Sequence, residues 1–516
     1  MSVTLFCAQG VRMQDLQITL DKGSGRHLYE QIYRFIREAI RDGSLQTGER
    51  LPSTRILGRN LGVSRSTAQL AYDQLLAEGY IRSRRGSGYY VSAIDAMLDA
   101  GRDDVQAAGQ TLPQTPSHGG SAAAPDAREK EVRIDFSPRL IEMGQFPYAT
   151  WKRIHKGIFV GTRAELFRSS DAAGDPALRS TIAHYLHLSR GVKCTPDQVI
   201  VGAGNDYLMM LLGQILGRQV RIGMESPTYL RAGRIFDALG WDVRSVCMDR
   251  EGMRADSLEA VMADRPDPER FQLAYVMPAH QFPVGTLMPV ARRAQILRWA
   301  GEESRRYIIE DDYDSEFRYR GKPVPALQSQ DGAGKVIYMG TFSKSIAPSI
   351  RISYMILPES LLCAYRERCY FYSGTVSRID QAILHEFMAD GYFERYLNRM
   401  RTLYRGRHDV LVQALRALEP RFKMRGAGAG LHVLLELTGT GRPYRPDEIE
   451  ETEEALRLQA EEAGVRVYKL SVFRLPKGGF PAGQADAPGI VLGYGALAEE
   501  QIREGVGILR EAWKDV

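Results

Sequence analysis

Short β-branched runs alternate with longer amphipathic stretches over most of the chain, from residue 132 to residue 516. Four of these runs are residues 198–201, 272–276, 307–309 and 335–339. This alternation is typical of an α/β sheet, because helices must cover the faces of the buried strands. We therefore expect residues 131–516 to form an α/β domain with a small C-terminal lobe, about residues 395–516.

Residues 26–92 carry a different pattern. Apolar residues at positions 28, 32, 35, 36 and 40 have helical spacing, and Pro52-Ser53 is a suitable start for a second helix that ends at Leu61. A tight turn containing Gly62 precedes a third predicted helix, residues 65–78. Residues 79–91 then form two short runs around a basic glycine turn. This order predicts a winged helix-turn-helix.

The positive charge of the chain is concentrated in this N-terminal part. Residues 24–91 contain eleven Arg, no Lys and six Asp or Glu, so their net charge is 11 − 6 = +5. The whole chain also has a net charge of +5, so the remainder sums to zero. A basic module on a neutral body favours a polyanionic partner for that module. The alternative is a helical domain whose arginines only solvate its surface.

The start of the third helix is expected to enter the major groove of DNA. Ser64 is placed to cap this helix, Arg65 to reach phosphate or guanine, and the arginines of the second helix and the wing to touch the backbone or the minor groove. The segment 51–80 resembles the GntR family of bacterial regulators, which implies binding to double-stranded DNA. The candidate DNA-binding residues are Arg55, Ser64, Arg65, Ser66, Thr67, Gln69, Arg84, Arg85 and Gly86.

Residues 93–130 separate the two patterned parts. This stretch is rich in Ala, Gly, Pro, Ser, Asp and Gln, and it has too few apolar residues to bury a core. We therefore predict a winged-helix domain at residues 1–92 with its core at 26–92, a flexible linker at 93–130, and the α/β domain at 131–516.

Composition restricts the setting of the protein. The cysteines, at positions 7, 194, 247, 363 and 369, are scattered and show no CxxC or Cys/His spacing, which disfavours a metal site and favours free thiols in a reducing compartment. No apolar run is long enough to cross a bilayer, and the first residues lack the features of a signal peptide. We expect a cytoplasmic protein without membrane contact.

Reactive side chains follow two neighbouring strands of the predicted sheet. Acidic residues from Glu310 to Asp314 follow one strand, and a Thr-x-Ser-Lys loop ending at Lys344 follows the next. Lys344 lies 33 residues after Asp311, and Arg351 follows seven residues later. Ligands of open α/β sheets bind beyond the carboxyl ends of strands. Pyridoxal 5′-phosphate (PLP) needs a lysine amine, an acid at its pyridine nitrogen, and hydroxyls and an Arg at its phosphate. The alternative is a surface Ser-Lys pair.

From about Phe136 to its end the chain resembles the fold-type I aminotransferases. The resemblance implies that Lys344 forms a Schiff base with PLP, that Asp311 pairs with the pyridine nitrogen and that Tyr313 bonds the ring hydroxyl. It also implies a ring-stacking aromatic residue and a phosphate loop at a helix start. The implied cofactor-binding residues are Gly204, Asn205, Asp206, Tyr229, His280, Asp311, Tyr313, Thr341, Ser343, Lys344 and Arg351.

The chain departs from the aminotransferase pattern at two places. Phe282 replaces the Asn that contacts the ring oxygen, so His280 or Gln281 either takes part of that role or only packs the loop. Val491 stands where aminotransferases carry the Arg for the substrate carboxylate, which disfavours ordinary amino-acid turnover. Arg378 could substitute from another loop. His432 is expected to be structural.

A GntR-type reader joined to an aminotransferase-like body is the layout of the MocR subfamily, which includes GabR, PdxR and TauR. This resemblance implies a head-to-tail homodimer that reads two DNA half-sites under the control of PLP, or of an amine that reacts at Lys344. Val491 favours PLP itself over γ-aminobutyrate or taurine. Two alternatives remain: an active aminotransferase with an accessory DNA-binding module, and a DNA-binding protein whose body is a PLP-free dimerisation scaffold.

Overall fold

A computed structural model provides the coordinates of the chain, which divides into two compact units, Met1–Ala123 and Ala124–Val516. Arg85, Gly86 and the interval 93–130, for which a DNA contact and a linker are predicted, lie outside the described residues. The structure describes residues 18, 20, 27–77, 80–84, 87–92, 132–160, 164–263, 269–319, 324–438, 444–475 and 487–514.

The first unit contains the predicted three helices and the wing. Its elements are α1 (Leu28–Arg41), β1 (Arg50–Leu51), α2 (Thr54–Asn60), α3 (Arg65–Ala77), β2 (Ile81–Arg84) and β3 (Gly88–Val91). The three strands form an antiparallel sheet in the order β1-β3-β2. The winged helix-turn-helix predicted from the sequence is therefore confirmed.

Buried residues four apart on α1 form the base of this small core. Ile32 and Ile36 are fully buried, whereas Phe35, which also belongs to the apolar spacing of this helix, is 38% exposed. Phe35 lies about 100° around the helix from Ile36, outside the i, i+4 row. The buried Tyr72 of α3 donates a hydrogen bond to the carbonyl of Pro52 at 2.9 Å, which fixes α3 against the start of α2.

The second unit contains the remaining elements. Its strands are β4 (Ile134–Asp135), β5 (Val199–Gly202), β6 (Val220–Glu225), β7 (Asp242–Val246), β8 (Met248–Asp249), β9 (Gly252–Met253), β10 (Phe271–Val276), β11 (Arg306–Asp312), β12 (Val336–Thr341), β13 (Ser353–Ile356), β14 (Phe422–Arg425), β15 (His432–Leu437), β16 (Val465–Arg466), β17 (Tyr468–Lys469) and β18 (Gly489–Gly493). Its helices are α4 (Tyr148–Ile158), α5 (Pro176–Arg190), α6 (Asn205–Leu216), α7 (Leu230–Ala238), α8 (Ala255–Ala263), α9 (Val290–Glu302), α10 (Phe342–Ser345), α11 (Glu359–Arg368), α12 (Arg378–Ala389), α13 (Tyr392–Leu415), α14 (Pro446–Glu462) and α15 (Glu499–Ala512).

A seven-stranded sheet in the order β5-β13-β12-β11-β10-β6-β7 forms the centre of this unit. All of its neighbouring strands are parallel except at β13, which runs antiparallel to β12 and to β5. A second sheet in the order β14-β15-β18-β17 lies in the C-terminal part of the sequence. Strand β4, near the start of the unit, pairs with β16, so the first residues of the unit join its C-terminal part.

Both faces of the central sheet are covered. Along β11, Tyr307 and Ile309 belong to one apolar cluster and Ile308 to another, as expected where successive side chains point to opposite faces. Among the described residues, no helix combines the length and the apolar character needed to cross a bilayer.

The register of the sheet brings three strand ends to one edge. Asp312 of β11 pairs with Gly340 of β12, Thr341 pairs with Ser353 at the start of β13, and Ser353 pairs with Gly202 at the end of β5. Two details differ from the prediction. The carboxylates at 310–312 lie within β11 rather than beyond it, and residues 342–345 form the one-turn helix α10 rather than a loop.

Candidate cofactor site and DNA-binding surface

Asp311 lies at the end of β11 with a buried side chain. One carboxylate oxygen accepts a short hydrogen bond from the Tyr275 hydroxyl on β10, and the other lies 3.4 Å from the amide nitrogen of Asn205 at the start of α6. Burial raises the pKa of Asp311 to about 7, and the Tyr275 bond opposes that rise. A buried carboxyl in this state is suited to pair with a cation.

Lys344 follows β12 in helix α10 and is half-buried. Its ammonium donates hydrogen bonds of 3.0 Å to the carbonyl oxygens of Pro138 and Arg139. Burial lowers the pKa of Lys344 to about 8, the nearby Asp314 carboxylate raises it, and the positive charge of Arg139 lowers it. A large share of this amine is therefore neutral near pH 8, which is the form that can act as a nucleophile.

Tyr313, predicted to bond the ring hydroxyl, is coupled to a buried His–Asp pair. Its hydroxyl lies 3.0 Å from Nδ1 of His280, and that nitrogen lies 3.1 Å from a carboxylate oxygen of Asp314. Nε2 of His280 is buried without a hydrogen-bond partner among the described residues. The structure thus brings the two predicted residues Tyr313 and His280 together and adds Asp314 behind them.

The ring of Phe282 lies between Tyr229 and Tyr313 and so connects Tyr229 to this cluster. Phe282, at the position of the missing Asn, packs edge-to-face against Tyr229 with ring centres 6.4 Å apart and against Tyr313 with ring centres 6.2 Å apart. Val491 is fully buried in β18 and belongs to an apolar cluster that Phe282 contacts. Phe282 and Val491, the two predicted departures from the aminotransferase pattern, therefore both lie in apolar surroundings.

Gly204, at the N-terminal cap of α6, lies beneath Arg351. Its φ of +92° favours glycine, and a Cβ atom at Gly204 would collide with the Arg351 guanidinium. Arg351 donates to the carbonyl of Ala203 at 3.4 Å and lies 3.6 Å from the Asp206 carboxylate. A helix N-terminus and a half-exposed guanidinium thus meet, and together they suit an anion.

Thr341 and Ser343 complete this end of the site. The Thr341 hydroxyl accepts a hydrogen bond from the Ser343 amide at 3.1 Å and one from the Ser353 hydroxyl at 2.8 Å. The Ser343 hydroxyl is buried without a partner among the described residues, as is the side-chain oxygen of Asn205. Buried polar atoms are normally hydrogen-bonded, so these atoms fit a polar ligand such as PLP.

Three further residues singled out from the sequence have structural contacts. Gln281 donates to the Pro227 carbonyl at 2.8 Å and accepts from the Val284 amide at 3.1 Å, so its amide braces the loop. His432 lies 3.0 Å from the Pro283 carbonyl, in line with a structural role, and Arg378 donates to Asp175 at 3.1 Å. Ligand-type atoms of His280, Asp314 and His432 lie within 4.8 Å of one another, a grouping that the sequence spacing did not indicate.

The predicted DNA-contact side chains of the described residues lie on the surface of the first unit. Arg55, Ser64, Arg65, Ser66 and Arg84 are exposed, and Thr67 and Gln69 are half-buried.

Three contacts within the first unit limit what these side chains can offer to DNA. The Ser64 hydroxyl accepts from the Thr67 amide at 3.1 Å and caps α3 as predicted. Gln69 donates to Asp73 at 2.8 Å, so part of its amide is already engaged within the helix. Arg84 lies over the Tyr90 ring at 5.0 Å, which orients this arginine of the wing.

Sequence reasoning missed several groups at the cofactor site. Tyr275 lies in the apolar run of β10, where a buried tyrosine has no distinguishing pattern. The carbonyl oxygens of Pro138 and Arg139 hold Lys344, but backbone groups carry no residue-type signal. Asp314 was visible within the acidic run, but its pairing with His280 depends on a loop that comes from another strand.

Two family models match the chain. The model of bacterial regulatory proteins of the gntR family matches residues 28–91, and the model of aminotransferase class I and II matches residues 142–480. An α-aminoadipate aminotransferase of Thermus thermophilus, solved with a phosphopyridoxyl-leucine adduct, superposes with a TM-score of 0.60 at 26% identity over 74% of this chain and 92% of its own. The body therefore has the fold of PLP-dependent aminotransferases.

Two relatives extend over both units. The HTH-type transcriptional regulator YdeL of Bacillus subtilis is 38% identical over 94% of this chain and 97% of its own. The probable rhizopine catabolism regulatory protein MocR of Rhizobium meliloti is 35% identical over 96% of each chain. The chain belongs to the HTH-type transcriptional regulators of the MocR, PdxR and TauR kind, in which a gntR-family reader is joined to an aminotransferase class I and II domain.

Proposed function

We propose that this regulator binds PLP at Lys344 and that the state of this site controls the affinity of the winged helix for DNA. The observation that carries the proposal is the pair of groups at neighbouring strand ends. Asp311 is a buried carboxyl with a pKa of about 7, and Lys344 is an amine with a pKa of about 8. The lowered pKa of Lys344 favours the neutral, nucleophilic amine, and the raised pKa of Asp311 reflects a buried carboxyl that a protonated pyridine nitrogen would return to its charged form.

The surrounding residues have the chemistry for each part of the cofactor. Asp311 would hold a proton at the pyridine nitrogen, Tyr313 and His280 would bond the ring hydroxyl, and Tyr229 would cover one face of the ring. The phosphate would meet Thr341, Ser343, Arg351 and the start of α6, with its residues 204–206. The unpartnered buried atoms of Ser343, Asn205 and His280 support this assignment.

PLP, when bound, supplies an aldehyde that condenses with primary amines and an aromatic ring that withdraws electrons. The neutral amine of Lys344 would hold the cofactor, and the carbonyls of Pro138 and Arg139 would orient that amine. The phenol of Tyr313 and the imidazole of His280 would share a proton next to the ring oxygen. These residues place an amine-reactive group where an effector amine can displace Lys344.

Regulation requires that the ligand favour one arrangement of the two units. A ligand that binds both arrangements equally shifts no equilibrium, however tight its binding. We infer a cytoplasmic, head-to-tail homodimer whose two readers, residues 1–92, are joined by linkers at 93–130 to bodies at 131–516, each with its small lobe at about 395–516. Such a dimer would bind an operator with two half-sites.

The effector is PLP itself or an amine that reacts at Lys344. PLP alone is favoured by the apolar surroundings of Val491, because an anionic amine finds no cation at that position. An Arg on another wall of the site would supply such a cation and would remove this preference.

A gel-shift titration on the upstream region of the protein's own gene tests the proposal. The full chain is compared as apo protein, with PLP, and with PLP plus candidate amines. We expect PLP or one amine to change the affinity or the footprint, and Lys344→Ala to lose both that response and the visible absorption of bound PLP. If neither PLP nor any amine alters binding, the sensor function is wrong. If wild type gives no Lys344-dependent absorption, the body is a PLP-free scaffold.

An active aminotransferase with an accessory reader is the second candidate. The fold and the Asp311–Lys344 arrangement favour it, whereas the buried Val491 removes the usual contact for an α-carboxylate. Repeated turnover of an amino acid with a keto-acid acceptor would support this candidate. Conversion of at most one equivalent of amine per PLP would exclude it.

A further inference from the structure

An apolar residue, Val491, is predicted to stand where aminotransferases bind the carboxylate of their substrate. Val491 is fully buried among the side chains of Val284, Leu434, Leu470 and Phe473. A carboxylate at this position would lose its hydration without gaining a charged donor, which is costly. An effector that carries an anion must therefore meet a cation on another wall of the site.

Arg139 is placed to provide that cation. Its carbonyl oxygen accepts a 3.0 Å hydrogen bond from Lys344, so its backbone touches the reactive amine. Its side chain is exposed, and its guanidinium makes no hydrogen bond or ion pair with any other residue that the structure describes. An Arg fork of this kind can bind two oxygens of one anion.

The charge of Arg139 acts on both sides of the cofactor position. It lowers the pKa of Lys344, and it opposes the burial that raises the pKa of Tyr229, the predicted ring-stacking residue. The guanidinium is therefore close enough to both residues for its field to matter, while its donors remain unused among the described residues.

Three other arginines near the site, Arg231, Arg351 and Arg378, are already paired. Arg231 and Arg351 lie 3.3 Å and 3.6 Å from the same carboxylate, that of Asp206. Arg378 donates to Asp175 at 3.1 Å. Each of these would have to give up an ion pair to bind an effector, and Arg139 would not.

We propose that Arg139 is the anion-binding group of the effector site, so that this chain selects primary amines that also carry an anionic group. This inference rests on the proposed binding of PLP at Lys344. The amine would approach the cofactor beside Lys344, and the anion would bind the guanidinium of the residue whose carbonyl holds that lysine.

The test uses full-length, PLP-loaded protein and amines matched in size. Taurine is compared with ethanolamine, and γ-aminobutyrate with butylamine, by the Kd from the change in visible absorption. We expect wild type to prefer the anionic member of each pair. Arg139→Met should weaken binding of the anionic members by about ten- to a hundredfold, the range for a charged hydrogen-bonded contact, and leave the neutral amines unchanged.

Three variants sharpen the comparison. Arg139→Lys keeps the charge without the fork and should give an intermediate preference. Arg416→Met removes another exposed arginine, outside the site, and should behave as wild type. Thermal unfolding of Arg139→Met, compared with wild type, checks that the variant is folded.

Two results would overturn the inference. One is equal binding of anionic and neutral amines by wild type that still shows Lys344-dependent absorption. The other is loss of the preference in Arg231→Met or Arg378→Met but not in Arg139→Met. Absence of any Lys344-dependent absorption would instead refute the proposed PLP site, and with it this inference.

Discussion

Among the described residues, Asp311 accepts hydrogen bonds only from uncharged donors, the Tyr275 hydroxyl and the Asn205 amide, although its carboxyl is buried. With no cation in contact, burial is the dominant influence, and it raises the pKa to about 7. A protonated pyridine nitrogen at this carboxyl would provide the missing partner. Two hydrogen-bond donors keep the carboxyl in one orientation before the ring arrives, so little reorganisation is needed on binding.

Replacing Asp311 by Asn should weaken PLP binding at least about tenfold, because a charge-assisted hydrogen bond contributes roughly 1.5–3 kcal/mol. Titration of apo protein with PLP, followed by absorbance, measures the Kd. Tyr275→Phe keeps the carboxylate and the aromatic packing, so its loss of affinity should be smaller. Thermal unfolding of each apo variant checks that the fold is intact. Wild-type affinity in Asp311→Asn would contradict the assignment of this carboxyl.

The pKa of Lys344 predicts how the rate of PLP capture depends on pH. Only the neutral amine attacks an aldehyde, so the rate should rise with pH and level off near pH 8, the pKa of this lysine, instead of near its ordinary value of 10.5. Arg139→Met removes a positive neighbour and should move the midpoint to higher pH. Stopped-flow absorbance of apo protein mixed with PLP measures the profile, with butylamine in solution as the ordinary amine. A wild-type rate that rises up to pH 10.5 would show that burial does not lower this pKa.

At the scale of elements, the start of α3 depends on one hydroxyl. Ser64 caps the helix through the Thr67 amide at 3.1 Å, and Ser66 lies beside it with its hydroxyl 2.7 Å from that of Ser64. Ser64→Ala should destabilise the reader by about 0.5–2 kcal/mol, the usual cost of losing a cap, and weaken DNA binding. Ser66→Ala leaves the cap in place and is the matched control for stability. Thermal unfolding of the full chain measures the loss of stability and a gel shift the DNA affinity, and equal unfolding temperatures of the two variants would contradict the capping role.

The start of α6 and the side chain of Arg351 form the proposed phosphate-binding end of the cofactor site. Arg351→Lys keeps the positive charge but loses the fork, so PLP should bind more weakly whereas pyridoxal, which lacks the phosphate, should bind as it does to wild type. For each ligand, the Kd of Arg351→Lys is divided by the Kd of wild type. The ratio for PLP compared with the ratio for pyridoxal isolates the phosphate contact. If the substitution weakens both ligands equally, Arg351 acts on the fold and not on the phosphate.

Elements with strong periodicity were predictable, and contacts between distant elements were not. Helix α1 and the strands β5, β10, β11 and β12 follow from apolar spacing, because burial of one face needs only local sequence. The Tyr275–Asp311 bond depends on the parallel pairing of β10 with β11, which no local pattern specifies. The same holds for Lys344, which is held by backbone carbonyls about two hundred residues earlier in the chain. Helix α10 was missed because four residues are too few to show a helical period.

For the whole molecule, the distribution of charge assigns different tasks to the two units. The reader carries the net +5 of the chain, which favours duplex DNA at any sequence and makes binding sensitive to salt. The remainder of the chain sums to zero, and the proposed cofactor site of the body offers a few buried groups to a small ligand. In the proposed function, coupling between the units would therefore arise from a change in their arrangement, since the ligand adds little charge to the reader.

A homodimer with two tethered readers should bind two half-sites with avidity. After the first reader binds, the second is held at a high local concentration, so DNA with both half-sites should bind about a hundredfold to ten-thousandfold more tightly than DNA with one half-site destroyed. Gel shifts of the full chain at fixed salt measure the ratio, and light scattering of the complex counts the chains per duplex. Scrambling the sequence between the half-sites at constant length is the control and should have little effect. Equal affinity for one and two half-sites, with one chain per duplex, would show that a single reader binds the operator and would exclude the proposed dimer.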